Sequence, residues 1–388
     1  MKRSRFATRA VRAAIDSDGE HGAVAPPIVL SANFSFAGFD QKRRYDYSRS
    51  GNPTRDQLAA ALADLEEGCG AVVTASGLAA ITLVLSAMLR TGDRLLVPHD
   101  CYGGSWRLFR ALADKGAIDL EIVDFGDAAA FREAMARKPR LVWLETPSNP
   151  LLRITDIAAC VDAARAVGAL VVADNTFLSP VLQRPLALGA DVVIHSTTKY
   201  LNGHSDVVGG AVIARDSAVL ETLGWWANAL GLTGAPFDSY LTLRGLRTLS
   251  VRMDKHERNA ASIAQYLATH PAVQAVHYPG LEGHPGHELA RRQQDGFGGM
   301  VSFDLVGGEA AARAFVHDLD CFTLAESLGG VESLIAHPAT MTHAAMSEEA
   351  RRTAGIGPGL LRLSVGIEDE TDLLEDIEAG LGRAFVGR

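Results

Sequence analysis

The chain has few cysteines and no long hydrophobic segment, and each absence excludes a class of protein. Its four cysteines are spread over 388 residues without a C-x-x-C pair, so neither a disulfide framework nor a cysteine-rich metal site is expected. The most apolar run, residues 78–89, spans about 12 residues, whereas a helix that crosses a bilayer needs about 20. We therefore expect a cytoplasmic protein with reduced thiols and no membrane span.

Acidic residues outnumber basic ones, 46 to 37, which gives a formal net charge of −9 at pH 7. A nucleic-acid-binding surface needs a basic patch, so no nucleic-acid partner is expected. The nucleotide motifs G-x-x-x-x-G-K-S/T and G-x-G-x-x-G are both absent. The twelve histidines are dispersed and none belongs to an H-E-x-x-H motif, so no metal site is expected. The remaining composition, 47% hydrophobic and 21% charged, is that of an ordinary globular protein.

Residues 1–50 match no regular pattern and are predicted to form an extended arm, which lies on a partner subunit or on the body of its own chain. Residues 1–15 carry five basic side chains but no continuous apolar core, which is atypical of a secretory signal. A short surface helix is the simpler interpretation, and a mitochondrial presequence is the alternative. The five basic residues are Lys2, Arg3, Arg5, Arg9 and Arg12.

Residues 51–247 are predicted to form a large α/β domain. Short strands that are apolar on both faces alternate with amphipathic helices, a pattern typical of a mostly parallel sheet covered on both sides. Such sheets bind ligands at the carboxyl ends of their strands. The predicted strands are 71–74, 94–97, 122–124, 141–144, 170–173, 192–194 and 211–213, and the predicted helices are 78–89, 106–112 and 157–167.

Residues 248–388 are predicted to form a smaller α+β domain at the C-terminal end. A long helix at 252–268 precedes the strand 273–277, and the regular alternation of the first domain is lost. Further strands are predicted at 300–305 and 361–365, and further helices at 310–315 and 372–384.

Lys199 is the strongest candidate for chemistry. A buried strand ends in Ser196, Thr197 and Thr198, and the lysine follows directly. Hydroxyl groups and free backbone N–H groups at a strand end can hold a phosphate, and a lysine beside that phosphate can form a Schiff base with an aldehyde. On its own this pattern is more often a surface lysine, so its meaning depends on the residues around it.

Three other segments follow predicted strands and could complete such a site. Asp174, in Val-Val-Ala-Asp-Asn-Thr, can pair with a protonated pyridine nitrogen or simply begin a helix. Gly77 and Leu78 open an apolar helix, whose N-terminal N–H groups attract anions, although such glycine-to-helix transitions are common. Tyr102 can stack on a cofactor ring and assist proton transfer, or be a core tyrosine.

Two arginines are candidates for binding carboxylates. Arg362 stands at the start of the predicted strand Leu-Arg-Leu-Ser-Val, and a buried guanidinium needs an anionic partner. Arg107 follows Tyr102 by five positions and can bind a carboxylate in bidentate fashion. Two ligands are therefore expected. The cofactor carries an aldehyde and a phosphate, and the substrate carries at least one carboxylate.

Taken together, these segments resemble the Cys/Met-metabolism family of pyridoxal 5′-phosphate (PLP) enzymes over essentially the whole chain. The resemblance implies the α/β fold of the PLP-dependent transferases, which is aspartate-aminotransferase-like (fold type I), and a homotetramer built from two catalytic dimers. The landmarks in chain order are Pro26-Pro27, Tyr47-Ser-Arg49-Ser-Gly-Asn-Pro-Thr54, Tyr102-Gly-Gly, Glu145-Thr-Pro-Ser-Asn149-Pro, Asp174-Asn-Thr, Ser196-Thr-Thr-Lys199, Ala325-Glu-Ser-Leu-Gly-Gly-Val-Glu332-Ser333 and Leu363-Ser-Val-Gly-Ile-Glu368-Asp369.

The resemblance also implies a role for each candidate residue. Lys199 would form the Schiff base with PLP, Asp174 would pair with its pyridine nitrogen and Tyr102 would stack on its ring. The phosphate site would be completed by Gly77, Leu78, Ser196 and Thr198, together with Tyr47 and Arg49 from the neighbouring subunit. The substrate carboxylate would be bound by Asn149, Ser333 and Arg362.

Within the family, segments 225–234 and 237–248 are most similar to bacterial enzymes that carry out γ-replacement. These enzymes exchange the acyl group of O-succinyl-L-homoserine, or of O-acetyl-L-homoserine, for L-cysteine and so form L-cystathionine. Lys199 would move protons at Cα and Cβ with help from Tyr102. Arg107 would attract the departing carboxylate, and Glu332 would bind the amino group of the incoming cysteine.

Ser50 leaves other reactions open. The γ-replacement enzymes carry a second arginine here, whereas Tyr-Ser-Arg-Ser is common in enzymes that cleave cystathionine by γ-elimination. Such a γ-lyase, or an O-acylhomoserine sulfhydrylase, is the alternative reaction. A methionine γ-lyase is disfavoured by Gly104, which stands where that enzyme has a cysteine. A non-catalytic PLP-binding regulator is more remote, because the short arm leaves little room for a DNA-binding domain.

Overall fold

The computed structural model describes residues 4–386, which form two sheets with helices packed around them. The helices are α1 Phe6–Val11, α2 Pro53–Glu66, α3 Gly77–Met88, α4 Gly103–Asp114, α5 Ala128–Ala136, α6 Ile157–Val167, α7 Ser179–Leu182, α8 Ser217–Leu230, α9 Pro236–Leu246, α10 Leu249–Thr269, α11 His287–Gln293, α12 Gly308–Phe315, α13 Glu348–Ala354 and α14 Glu370–Val386. The strands are β1 Gly70–Thr74, β2 Arg94–Pro98, β3 Asp119–Val123, β4 Leu141–Glu145, β5 Leu170–Asp174, β6 Val192–Ser196, β7 Gly210–Ala214, β8 Val273–His277, β9 Met300–Leu305, β10 Thr323–Leu324, β11 Leu334–Ala336 and β12 Leu360–Ser364.

The larger sheet has seven strands in the order β1-β7-β6-β5-β4-β2-β3. The strands from β6 to β3 run parallel to one another, and β7 is antiparallel to both of its neighbours. All five residues of β4 are buried, as expected for a central strand with helices over both faces. The α/β fold with a mostly parallel sheet, predicted from the sequence, is confirmed.

Polar caps at the starts of α2 and α3 fix where these helices begin. At the start of α2, Asn52 Oδ1 accepts a hydrogen bond from Thr54 N–H at 2.9 Å, and Pro53 occupies the first turn. At the start of α3, Ser76 Oγ accepts from Ala79 N–H at 3.0 Å. Helix α3 therefore begins immediately after β1 ends, at the edge of the sheet where β6 also ends.

The smaller sheet has five strands in the order β10-β11-β12-β9-β8, and only the pair β10 and β11 is parallel within it. Helices α10, α12 and α14 pack on it around buried Phe303 and Phe315. This confirms the smaller α+β unit, while the boundary at residue 248 stays a prediction. Because β12 begins at Leu360, Arg362 is the middle residue of its strand rather than the first.

The N-terminal arm has little regular structure between α1 and α2. Its described residues form α1 and isolated bridges that pair Asn33 with Tyr47 and Gly38 with Gln41. Arg9 fastens α1 to α2, because its Nη1 donates to the Asp64 carbonyl at 2.5 Å. Lys2 and Arg3 lie outside the described residues. Across positions 4–386, no helix combines the length and the hydropathy that crossing a membrane requires.

Candidate active site

A cavity of about 370 Å³ lies at the carboxyl ends of the parallel strands. Its size is in the range of small-molecule sites. The larger sheet contributes the ends of β4, β5 and β6, and the smaller sheet contributes β12. The lining includes Ser76, Gly77, Leu78, Tyr102, Glu145, Asn149, Asp174, Ser196, Thr198, Lys199, Glu326, Ser327, Thr342 and Arg362.

Lys199 brings a half-buried amine to this cavity. It follows β6 after Thr197 and Thr198, and its Nζ donates a hydrogen bond to Ser327 Oγ at 2.5 Å. Burial, and then the positive charge of Arg362, lower the pKa of Lys199 to about 8. An ordinary lysine has a pKa of about 10.4. A larger fraction of the Lys199 amine is therefore neutral near physiological pH, and only the neutral amine acts as a nucleophile or a base.

Asp174 brings a half-buried carboxylate to the end of β5. Its Oδ1 accepts from Thr176 N–H at 3.0 Å, and burial raises its pKa. Within residues 4–386, no arginine or lysine forms an ion pair with it. A protonated pyridine nitrogen placed here would supply the positive charge that a buried carboxylate needs.

The start of α3 meets the end of β6 at a close approach that only glycine permits. A Cβ atom on Gly77 would lie 2.8 Å from Ser196 Cβ. Nearby, Thr198 Oγ1 accepts from Gly209 N–H at 3.0 Å, which anchors the turn before Lys199. The N-terminal end of a helix and short hydroxyl side chains form a suitable environment for a phosphate.

Tyr102 stands immediately before α4 and turns its ring into the cavity. Its backbone N–H donates to Glu145 Oε2 at 2.9 Å. A Cβ atom on Gly104 would come within 2.5 Å of the Tyr102 ring, so the glycine makes room for it. Burial, followed by the negative charge of Glu326, raises the pKa of the Tyr102 phenol. The ring is therefore neutral at physiological pH and available for stacking.

Arg362 is buried in the cavity wall with part of its guanidinium unpaired. Its Nη1 donates to Asn149 Oδ1 and its Nη2 to the Ser327 carbonyl, both at 2.9 Å, while Nε has no partner. Burial lowers its pKa to about 10. No carboxylate forms an ion pair with it in the described part of the chain. A substrate carboxylate would complete this site.

Other predicted site residues lie outside the lining. Tyr47 is half-exposed in the arm, and the guanidinium of Arg49 stacks over its ring at 5.5 Å. Arg49 Nη1 also donates to the carbonyl and the Oδ1 of Asn228, both at 2.8 Å. Arg107 is exposed on α4, close enough for its positive charge to lower the pKa of Tyr102.

Glu332 and Ser333 are held by the protein itself and do not reach the cavity. Ser333 Oγ donates to Glu368 Oε2 at 2.9 Å and accepts from Gly366 N–H at 2.8 Å. Glu332 accepts a hydrogen bond from the Ser205 hydroxyl. The sequence predicts that both residues bind the substrate; neither lines the cavity, and their binding of substrate stays a prediction.

The structure adds residues that the sequence did not single out. The main ones are Glu145, Glu326 and Ser327, all in the lining. The segment 325–333 contains two Glu-Ser pairs, at 326–327 and at 332–333, and the first faces the cavity. Segment 325–333 could have indicated a site residue, because it contains both pairs. Sequence spacing alone does not show which pair faces the cavity.

Comparison with known proteins agrees with this geometry. The family model described as "Cys/Met metabolism PLP-dependent enzyme" matches residues 7–382. The chain is 58% identical over 381 residues to cystathionine gamma-synthase of Escherichia coli (strain K12), which covers 98% of this chain and 99% of that protein. It is 46% identical over 382 residues to cystathionine beta-lyase of Coxiella burnetii (strain RSA 493 / Nine Mile phase I), with 98% of each chain covered. The crystal structure of cystathionine gamma synthase from Xanthomonas oryzae pv. oryzae in complex with cystathionine matches with a TM-score of 0.99 and 64% identity, over 100% of both chains.

The residues of the cavity fit PLP, the cofactor of these enzymes. Asp174 suits the pyridine nitrogen, the start of α3 with Ser196 and Thr198 suits the phosphate, and Lys199 suits the aldehyde. The relatives include a synthase and a lyase, so they agree on the cofactor and differ in the reaction. By the match along almost its whole length and by this set of residues, the chain belongs to the Cys/Met-metabolism family of PLP-dependent enzymes.

Proposed function

We propose that the chain catalyses γ-replacement on an acylated homoserine, with cysteine taking the place of the acyl group to form L-cystathionine. The donor is O-succinyl-L-homoserine or O-acetyl-L-homoserine. The observation that carries the proposal is that Lys199 and Arg362 share one cavity. A half-buried amine with a lowered pKa lies near a buried guanidinium that has no carboxylate partner among the described residues. The 58% identity with the synthase of Escherichia coli supports this reaction over cleavage.

Arg362 binds the α-carboxylate of the amino acid and so orients its Cα toward Lys199. Asn149 Oδ1 holds the guanidinium on one side, and the Ser327 carbonyl holds it on the other. A guanidinium fixed in this way presents its free N–H groups in a plane that suits a carboxylate. The substrate is therefore held by its α-carboxylate, with its side chain directed along the cavity.

Lys199 moves the protons. Bound PLP supplies an electron sink for negative charge that develops on the substrate carbons. Loss of a group from Cγ requires removal of a proton first at Cα and then at Cβ, and Lys199 Nζ is the basic group near both positions. With a pKa of about 8, this amine is suited both to accept and to return a proton near neutral pH. Tyr102 covers the ring face and assists in proton transfer.

Asp174 keeps the pyridine nitrogen protonated, and the start of α3 binds the phosphate, so both ends of the cofactor are fixed. Ser196 and Thr198 add hydroxyl groups to the phosphate site. Arg107, exposed on α4 near Tyr102, attracts the acyl group as it departs as a carboxylate. Cysteine thiolate then adds at Cγ, and Lys199 returns protons to Cβ and Cα, which gives L-cystathionine.

The site is proposed to be shared between subunits of a homotetramer made of two catalytic dimers, acting in the cytoplasm. Tyr47 and Arg49 lie in the exposed arm, outside the lining of their own cavity, and would reach the cofactor phosphate of a neighbour. The arm and the region of α8 and α9 also expose large apolar side chains, which subunit contacts would cover. These include Val24, Leu30, Phe39, Trp225 and Phe237.

Steady-state assays of the purified protein with three substrates test the reaction. With cysteine present, we expect cystathionine from O-succinyl-L-homoserine or O-acetyl-L-homoserine, and slow release of α-ketobutyrate when cysteine is withheld. If neither ester yields cystathionine, while cystathionine itself is cleaved rapidly to cysteine, the γ-lyase reaction replaces the one proposed. Comparing the two esters identifies the acyl group.

A further inference from the structure

Glu145 is a buried carboxylate in the cavity wall to which the proposed reaction gives no role. It is the last residue of β4, and its Cα pairs in register with that of Asp174, the last residue of β5. Only 6% of the residue is exposed, and it lines the same cavity as Lys199. Burying a carboxyl group away from water destabilises the fold unless hydrogen bonds compensate for the lost hydration. The hydrogen bonds that Glu145 accepts therefore indicate its role.

Two backbone N–H groups reach Glu145, one from Asn149 and one from Tyr102, the residue that faces the cofactor ring. Tyr102 N–H donates to Glu145 Oε2 at 2.9 Å. Tyr102 is the residue immediately before α4, and its side chain makes no capping hydrogen bond to the helix, so the bond from its N–H to Glu145 helps to fix the position of its backbone. The orientation of the Tyr102 ring depends on the backbone of Tyr102, because the side-chain rotamers are defined relative to the backbone.

The charge of Glu145 is not required for this contact. Burial, and then the negative charge of Asp174, raise the pKa of Glu145 well above its usual range. A protonated carboxyl group still accepts the Tyr102 N–H through its carbonyl oxygen. Glutamine preserves that acceptor and the shape of the side chain, whereas alanine removes the acceptor.

We propose that Glu145 is a positioning residue, which holds the Tyr102 ring against PLP through the backbone N–H of Tyr102. The inference rests on the proposed function to the extent that Tyr102 is the residue that stacks on the ring. Glu145 also links the residue that stacks on the ring to the residue that faces the pyridine nitrogen, because the strand end that positions Tyr102 is the direct neighbour of the strand end that carries Asp174.

Cofactor affinity tests this role without any measurement of the reaction. The cofactor-free protein is titrated with PLP, and the dissociation constant and the visible circular dichroism of the bound cofactor are recorded. Glu145→Ala should weaken binding about tenfold, the value of one hydrogen bond between a buried acceptor and its donor, and should diminish the dichroism. Glu145→Gln should retain nearly wild-type values for both.

A double-mutant cycle with Tyr102→Ala separates positioning from a direct effect on the cofactor. Once the ring has been removed, Glu145→Ala should change the affinity for PLP less than about twofold, because Glu145 then has no ring to position. Asp376→Ala is the matched control: Asp376 is also 6% exposed and accepts three backbone N–H bonds, but it lies in the smaller domain, away from the cavity. The Asp376→Ala substitution should lower the thermal stability of the protein and leave its affinity for PLP unchanged.

Three results would overturn the proposal: unchanged affinity in Glu145→Ala, an equal loss with and without the Tyr102 ring, or a loss in Glu145→Gln as large as that in Glu145→Ala. If Glu145→Ala does not fold, Glu145→Met, which fills the space without an acceptor, replaces it in every comparison. The proposed function fails independently, through the absence of cystathionine as a product of the wild-type protein.

Discussion

Ser327 connects Lys199 with Arg362. Its hydroxyl accepts the 2.5 Å hydrogen bond from Lys199 Nζ, and its backbone carbonyl accepts a 2.9 Å bond from Arg362 Nη2. Ser327 has a positive φ of 93°, an unusual conformation for a residue other than glycine. Such a backbone persists only where its surroundings hold it, and here it allows one residue to face both the amine and the guanidinium.

The first prediction concerns the pH at which Lys199 becomes reactive. Capture of PLP by the cofactor-free protein requires a neutral amine, so its rate should rise with pH around a midpoint near 8. Arg362→Gln removes a nearby positive charge that favours deprotonation, so the midpoint should move to higher pH. It should stay below about 10.4, the ordinary value for lysine, because burial is the larger cause and remains.

Stopped-flow absorbance, followed from pH 6 to 10.5 in steps of about half a unit, gives both midpoints. Arg313→Gln, at an exposed arginine of α12, is the control and should leave the midpoint unchanged. A midpoint that is unchanged or lower in Arg362→Gln would mean that Arg362 does not act on the charge of Lys199.

The second prediction is that Asp174→Asn loads with PLP but turns over far more slowly. An amide cannot offer the negative charge that stabilises a protonated pyridine nitrogen, so the cofactor becomes a poorer electron sink. We expect turnover to fall by about two to four orders of magnitude. Turnover is measured per bound PLP, and circular dichroism in the far ultraviolet checks the fold. A PLP-loaded variant with nearly wild-type turnover would contradict the role of Asp174.

The third prediction is that inactive subunits complement one another. If Arg49 serves the neighbouring site and Lys199 its own, mixing Arg49→Ala with Lys199→Ala chains creates some sites that carry neither change. Part of the wild-type activity should then return after dissociation and reassembly. Mixed oligomers that native mass spectrometry confirms, but that remain inactive, would indicate that each site is built from one chain.

The fourth prediction concerns a buried hydrogen-bonded pair behind the site. Glu66 Oε1 and His195 Nε2 are 2.6 Å apart with both side chains fully buried, and Asn175 Nδ2 donates to the same oxygen at 2.8 Å. Removing one member of such a pair leaves the other buried without its hydrogen-bond partner, which typically costs about 1–3 kcal/mol. Glu66→Ala should therefore lower the denaturation midpoint strongly.

Glu66→Gln, which still accepts from Asn175, should have a smaller effect than Glu66→Ala. Glu309→Ala breaks an exposed ion pair with Arg313 and is the control, with little expected change. Urea denaturation at fixed protein and PLP concentrations measures all three variants. Equal stability of Glu66→Ala and wild type would show that the pair is not a source of stability.

The sequence predicts the central part of this fold well, because a fully buried strand leaves a clear signal. Residues 141–145 are apolar up to their last position, and the structure buries all five. Helix α8 was not predicted; it exposes Trp225 and buries only Leu223 and Ala227, so its apolar residues do not mark one buried face. The start of α2 carries a readable signal, Asn52 followed by Pro53, that was not used.

Within the site, Lys199 and Asp174 were predictable, whereas Glu145, at the end of β4, and the direction of the loop at residues 325–333 were not. Lys199 and Asp174 follow parallel strands, whose carboxyl ends meet at one edge of the sheet. Which of the two Glu-Ser pairs faces the cavity depends on the conformation of the loop at Ser327, whose positive φ cannot be inferred from spacing. Loop direction is set by contacts with distant residues such as Lys199 and Arg362.

The last prediction compares those two pairs directly. Glu326 lines the cavity, near enough for its charge to act on Tyr102, Lys199 and Arg362, whereas Glu332 accepts from Ser205 outside the lining. A carboxylate at the cavity attracts the ammonium group of an incoming amino acid. Glu326→Gln should therefore raise the KM for cysteine by about five- to tenfold and that for the acylated homoserine less, because loss of one exposed charge contact costs about 1 kcal/mol.

Glu332→Gln is the matched variant, with the same chemical change in the second pair. The sequence predicts that Glu332 binds cysteine, and the geometry predicts the reverse order of effects, with Glu332→Gln close to wild type in both KM values. Initial rates over a grid of both substrate concentrations yield the two constants for each variant. If only Glu332→Gln raises the KM for cysteine, the second pair serves the substrate and the loop must rearrange when substrate binds. If only Glu326→Gln raises the KM for cysteine, Glu326 is the carboxylate that binds cysteine, with the loop in the conformation described here.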